Sequence, residues 1–147
     1  VEINNTFYRM PKVSMLENWA QVTPPEFRFA IKASRRITHI SRLKESAADS
    51  VDFLYKALAA LGDKRGPVLF QLPPNFKKDV PRLEAFLAML PGDHRAAFEF
   101  RNASWFDDSH AARPRSPLAA PTSPVAVTRG YQPARATPMP ACAAWRR

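Results

Sequence analysis

The stretch "AAFEFRNASWF", residues 96–106, begins by alternating apolar and charged side chains with no turn residue to interrupt them. Successive side chains of a β-strand point to opposite faces, so Phe98 and Phe100 share one side while Glu99 and Arg101 share the other. A strand with one greasy face and one face carrying an anion and a cation predicts a site beside it. The residues before this strand read as a helix. "VPRLEAFLAML" (80–90) has Pro81 near its first turn and stops at Pro91-Gly92.

The same grammar extends back to the first residue. "PVLFQLPP" (67–74) reads as a compact strand closed by prolines. "SAADSVDFLYKALAAL" (46–61) reads as a helix, because Val51, Leu54, Tyr55, Leu58 and Leu61 recur three or four apart and Gly62 suits a C-cap. "FRFAIK" (27–32) alternates, with Phe27, Phe29 and Ile31 on one side. "MLENWAQVT" (15–23) gathers Leu16, Trp19, Ala20 and Val22 near one helical face before Pro24-Pro25 stops it. "VEIN" (1–4) is a short strand. Strands alternating with helices across short connections imply parallel βαβ units. Four strands and three helices fit into the first 106 residues, whereas a closed (β/α)₈ barrel typically takes roughly 250. The expected fold class is therefore α/β, a partial TIM-barrel-like (β/α) fold of about half a barrel. A small open sheet is the alternative.

Composition sets the outer bounds. The chain has 147 residues, 46% of them hydrophobic, with 10 Phe and 3 Trp, which suits one ordinary domain with a sizeable core. No apolar run reaches the ~18–20 residues of a membrane-spanning helix and no signal peptide opens the chain, so a cytoplasmic protein with no membrane partner is expected. Starting at Val1 inside a strand-like run implies a missing N-terminus. The single Cys142 excludes an intrachain disulfide and a Cys-based metal cluster, and His39, His94 and His110 are too scattered for a zinc site. There is no Gly-rich phosphate loop, no GxSxG elbow and no Cys/His pair. The sequence assigns no metal, names no cofactor and fixes no oligomeric state.

The net charge of +9 is unevenly placed. Residues 1–108 hold 16 Lys and Arg against 13 Asp and Glu, or +3, and residues 109–147 hold 6 Arg and no acid, or +6. That last segment also holds 7 of the 15 prolines and 10 alanines. It is expected to be a disordered Pro/Ala/Arg-rich tail outside a barrel domain of residues 1–108. Arg, Pro, Ala and Ser are what GC-rich DNA encodes out of frame, so a frameshift product is the favoured reading. An inert linker and a basic tail for nucleic acid are the other two.

"VEINNTFYRMP", "FRFAIKASRRITH", "GPVLFQLPPNF" and "AAFEFRNASWF" together resemble, in order and spacing, the YecE-like family, a domain-of-unknown-function family numbered seventy-two. The resemblance covers residues 1–108. It implies a TIM-barrel-like fold and supplies no reaction. The family's usual opening strand with its Gly- and Trp-containing segment is absent here, and the Pro/Arg tail stands where later strands are expected.

In such barrels the site is built from strand C-terminal ends and the loops that follow. Helices cover the outer strand faces, so the charged faces must look inward. The first strand offers Glu2 and Asn4, then Asn5, Thr6, Phe7 and Tyr8 in the loop; the second offers Lys32, with His39 beyond it. The third offers Gln71, followed by Phe76, and the fourth offers Glu99 and Arg101, then Asn102, Ser104 and Trp105. Two anions and two cations balance, so mutual pairing would offset the cost of burial, several kcal/mol per unpaired ion.

The leading reading is an enzyme acting on a small polar or anionic substrate. Glu2, Glu99 and Lys32 would be catalytic, and Asn4, Tyr8, Gln71, Arg101 and Trp105 would bind substrate. Tyr8, Phe76 and Trp105 would form stacking walls. Metal binding through the oxygens of Glu2 and Glu99 is a minor variant. The blander reading is a salt-bridge network that fixes strand register, with the aromatics as rim packing. A nucleic-acid-binding or nucleic-acid-processing barrel using Arg35, Arg36 and Trp105 is the alternative function, and a non-catalytic scaffold is a third. His39 reads as a surface residue first and a general base second, and His94 as structural.

Overall fold

A βαβ crossover is right-handed, so successive units that always add their strand on the same side place all their helices on one face of the sheet. The computed structural model of the protein describes residues 1–92 and 95–106 and the backbone of 125–129. Its elements follow the sequence pattern closely. β1 (Glu2–Ile3) leads through a short α1 (Asn5–Tyr8) to α2 (Val13–Val22) and β2 (Phe29–Lys32). A single π-helical turn (Arg36–Ile40) and a 3₁₀ turn (Glu45–Ala47) precede α3 (Ala48–Leu58), which runs on as a 3₁₀ segment to Lys64. β3 (Arg65–Gln71), α4 (Val80–Met89), β4 (Ala96–Phe100) and a 3₁₀ turn (Ala103–Phe106) follow, and β5 (Val125–Arg129) closes the described part.

The five strands are all parallel and lie in the order β1-β2-β3-β4-β5. Every strand is laid beside the last in one direction. That is the winding of a (β/α) barrel; a doubly wound sheet reverses its order partway. The open-sheet alternative therefore gives way to half a barrel.

Phe29, Ile31, Val68, Phe70, Ala96, Phe98 and Phe100 are buried beneath Leu16 of α2, Val51, Leu54 and Leu58 of α3 and Phe86 of α4. The ring of Phe70 stacks on Phe98 at 5.1 Å, and Phe86 meets them edge-on at 5.2 and 6.2 Å. Each such pair adds about 0.5–1.5 kcal/mol beyond the area it buries. The side chain of Lys64 closes the end of α2 by donating to the carbonyls of Ala20 and Thr23. Asp79 caps α4 by accepting from the Arg82 N–H at 3.1 Å, and Pro81 sits in its first turn as expected.

β5 lies beyond residue 108. It pairs with β4 from Ala96↔Val125 to Phe100↔Arg129, inside the segment expected to be a tail. The pentapeptide "VAVTR" contains no proline and carries three β-branched residues. Proline density averaged over the whole segment conceals it. The rest of residues 109–147, with His110 and the frameshift question, lies outside the described residues, as does His94.

Gly66 marks the one irregular register among the described residues. β2 advances from Phe29 to Ile31 while β3 advances from Arg65 to Val68, a bulge that presses backbone against backbone. A Cβ on Gly66 would lie 2.7 Å from Phe29 O and 3.1 Å from Phe29 C. Because neither atom is on a flexible side chain, Gly66→Ala is expected to cost about 1–3 kcal/mol. Urea denaturation measures it, and an unchanged midpoint would remove the close-approach account.

Candidate functional site

The polar face of the sheet begins with the register. Gln71 stands beside Glu99 as Cα partners, and Lys32 pairs with Leu69, two residues before Gln71. Partners in a parallel ladder point the same way, so Lys32, Gln71 and Glu99 share the face that α2, α3 and α4 do not cover. The Gln71 Nε2 donates to Glu99 Oε2 at 2.8 Å. Glu99 is thus oriented by an uncharged donor. Lys32 makes no ion pair among the described residues, and its Nζ lies 5.1 Å from the centroid of the Phe7 ring.

The loops at the strand C-terminal ends are tied to one another. After β1, the buried Thr6 donates from Oγ1 to Lys32 O at 2.7 Å, with Ile3 O at 3.0 Å. After β2, the π turn closes when Ser41 N donates to Arg36 O at 2.8 Å. That turn buries Ile37 and Thr38 and leaves His39 half-buried. Thr38 Oγ1 lies 2.8 Å from His39 Nδ1, and Phe7 meets the imidazole edge-on at 5.1 Å.

Arg42 and Leu43 follow, both with positive φ, at 50° and 58°. Leu43 is buried. The guanidinium of Arg42 donates to Asn75 Oδ1 and Asn75 O, each at 3.2 Å, and lies 5.0 Å from the centroid of Phe76. After β4, Asn102 Nδ2 donates to Pro74 O at 2.6 Å and the Lys78 N–H donates to Ser104 Oγ at 2.8 Å.

Burial and cations together act on His39. Its pKa is lowered from 6.5, first by burial and then by the positive charges of Arg35, Arg101, Lys32 and Arg42. The imidazole is neutral at pH 7. Where the sequence favours a surface residue beside Arg35 and Arg36, His39 is half-buried against Phe7 and Thr38. The π turn that sets it there has no 3.6-residue periodicity to announce it; the only signal is a histidine a few residues past a strand-end lysine.

The remaining candidates divide. Gln71 and Glu99 are hydrogen-bonded and Lys32 shares their face of the sheet, while the positive charge of Arg101 acts on His39. Glu2 shares the face through its partner Ala30, but it is exposed on the outermost strand and makes no ion pair among the described residues. Asn4 is exposed at the start of α1, and Tyr8 is 74% exposed.

Trp105 lies elsewhere. It stacks on Phe100 at 4.2 Å and on Phe76 at 6.2 Å, and its Nε1 donates to Phe76 O at 2.9 Å. Phe76 is itself buried, with Arg42 on its ring at 5.0 Å and Arg82 at 5.7 Å. These two rings pack the loops against the apolar side instead of walling the polar face. Among the described residues, no three His, Cys, Asp or Glu side chains converge to hold a metal, and no helix is long and apolar enough to cross a membrane.

A singly wound parallel sheet, helices on one face and a charged face opening at the strand C-terminal ends define about half of a TIM-barrel-like protein. The chain belongs to the family described as Protein of unknown function DUF72, which it matches over residues 1–133. That match runs past residue 108 and takes in β5. The chain is 32% identical over 107 residues to the UPF0759 protein YecE of Escherichia coli K12, covering 72% of this chain and 39% of that protein. It is 33% identical over 114 residues to the UPF0759 protein YunF of Bacillus subtilis 168, covering 72% and 40%. A crystal structure of a DUF72 family protein from Enterococcus faecalis V583 is similar in fold, with TM-score 0.64 and 23% identity, covering 74% of this chain and 42% of that one. The chain spans about two-fifths of the length of these relatives.

The His39 environment has a consequence for stability. The unfolded chain keeps an ordinary histidine, so between 6.5 and the lower folded value it binds more protons than the folded state, and stability rises with pH. The contribution is full above 6.5 and is lost as pH falls through 6.5 toward the folded value. Urea midpoints at about pH 7.5 and about pH 5.5 should show that loss, and His39→Gln should reduce it. A variant that loses as much as the parent would rule out His39 as the source.

Proposed function

We propose that the complete protein is an enzyme acting on a small polar, anionic substrate held at the strand C-terminal ends. Glu99 is the general acid or base, Gln71 orients it, and Lys32 and Arg101 hold the substrate's negative charge. The observation that carries this reading is the 2.8 Å hydrogen bond from Gln71 to Glu99, on the same sheet face as Lys32. A carboxylate aimed by a neutral donor keeps its proton-transfer capacity, which a tight ion pair would restrain. Glu2, Asn4 and Tyr8 are exposed at the β1 end.

The nucleic-acid reading keeps Arg35 and Arg36, which are exposed on the loop after β2. It has less support from Trp105, whose ring is engaged by Phe100 and Phe76. Salt separates the two, because phosphate-backbone contacts make affinity fall steeply with ionic strength.

The test is a thermal-shift screen of phosphorylated and carboxylated small molecules, followed by turnover of the best binder by NMR. Glu99→Gln preserves the shape and a hydrogen bond to Gln71 but removes the ionisable group. Turnover is expected to drop by about 10²–10⁴ with binding largely kept. Full turnover in that variant would refute the role of Glu99.

A further inference from the structure

Lys32 is held at both ends by two consecutive residues that follow β1. The hydroxyl of the buried Thr6 donates to the Lys32 carbonyl at 2.7 Å. The ring of Phe7 takes the other end, with the Lys32 Nζ over it at 5.1 Å from the centroid. That ring is braced in turn. Tyr8 meets it at 90° and 5.0 Å, and the imidazole of His39 meets it at 83° and 5.1 Å. The imidazole is itself fixed, because Thr38 Oγ1 lies 2.8 Å from its Nδ1.

The strand register shows what this hold achieves. Lys32, Gln71 and Glu99 stand on three neighbouring strands and one face, with Gln71 on the strand between the two ions. Lys32 and Glu99 form no ion pair among the described residues. The carboxylate accepts from the Gln71 amide at 2.8 Å, and the ammonium lies over the Phe7 ring. Each ion therefore has a neutral partner in place of the other ion. A ring face attracts a cation through its quadrupole and leaves the charge uncancelled.

We propose that Phe7 is a positioning residue, holding the Lys32 ammonium over its ring so that the charge is presented to the anionic group of the substrate. The inference rests on the anionic-substrate reading above and adds the residue that prepares its cation. A lysine carries its charge on a flexible four-carbon stem, and ordering such a side chain when a ligand arrives lowers affinity. Phe7 and Thr6 order it beforehand. The negative face of the ring also repels anions, so the ligand meets the ammonium from the side away from Phe7.

The full chain, sequentially assigned, is tested first by NMR. The Lys32 Cε protons should lie upfield of those of the other lysines and show a nuclear Overhauser effect to the Phe7 ring. Inorganic sulfate is the anion probe, titrated by calorimetry. Phe7→Leu keeps the apolar bulk without the ring and should weaken sulfate about two- to ten-fold, the cost of ordering one long side chain. Phe7→Tyr keeps the ring and should bind sulfate as the parent does, a difference that apolar packing alone would not produce. In the unmutated chain, sulfate should move the Lys32 Cε signal while the Overhauser effect to Phe7 persists, a reading that does not depend on a variant folding.

Lys32 Cε protons at the position of the exposed lysines with no Overhauser effect, an Overhauser effect lost when sulfate binds, or equal sulfate affinity in Phe7→Leu would each overturn the role of Phe7. The anionic-substrate reading would survive those results. Sulfate, inorganic phosphate and acetate all failing to bind or to move the Lys32 signal would overturn both.

Discussion

The direction in which the sheet winds governs everything else in this molecule. Each crossover adds its strand on the same side as the last, so the three long helices can cover only one face. The strands must then be two-faced. Phe29, Phe70, Phe98 and Phe100 meet the helices, while Lys32, Gln71 and Glu99 face the other way. In a doubly wound sheet, with helices on both faces, the same alternation would bury three polar side chains under apolar helices at a cost of several kcal/mol for each ion. Charge placement along these strands is thus a consequence of topology as much as of chemistry.

A sheet of this kind positions Cα atoms, but loops position functional groups, and here the loops hold each other. Thr6 links the β1 loop to the end of β2, Arg42 links the β2 loop to Asn75 after β3, and Asn102 and Ser104 link the β4 loop to the same segment. Trp105 and Phe76 complete the arrangement from below, by stacking and by the indole hydrogen bond. Of the three aromatic residues expected from sequence to wall a site, Phe76 and Trp105 stack on each other and Trp105 on Phe100, while Tyr8 is exposed. Phe76 shows why walls and packing rings are hard to tell apart. An aromatic ring between cations suits a ligand as well as it suits two arginines of the same chain.

Much of the architecture was legible because two periodicities carry it. Period two in "FRFAIK" and "AAFEF" and spacings of three and four in residues 46–61 mark elements that the structure places within a few residues of expectation. The polar face was legible for the same reason, since alternation assigns Lys32, Gln71 and Glu99 to one side without any knowledge of contacts. What escaped was whatever lacks a period or is diluted by its surroundings. The π turn of Arg36–Ile40 places His39 among cations through a single wide loop of backbone. β5 is five residues long within a proline-rich stretch. The bulge at Gly66 arises from a mismatch between two strands, which no single segment contains.

The backbone at Arg42 and Leu43 has a further meaning. Neither residue is glycine, yet both occupy the left-handed region, where an L-residue gives up roughly 1–2 kcal/mol. Leu43 recovers that by burying its side chain, and Arg42 by its two bonds to Asn75. The segment between β2 and α3 is therefore a loaded element, held in an otherwise unfavourable shape by its neighbour across the sheet. Its shape depends on the β3 loop. Without Asn75, the left-handed backbone at Arg42 would lose the two bonds that offset its cost.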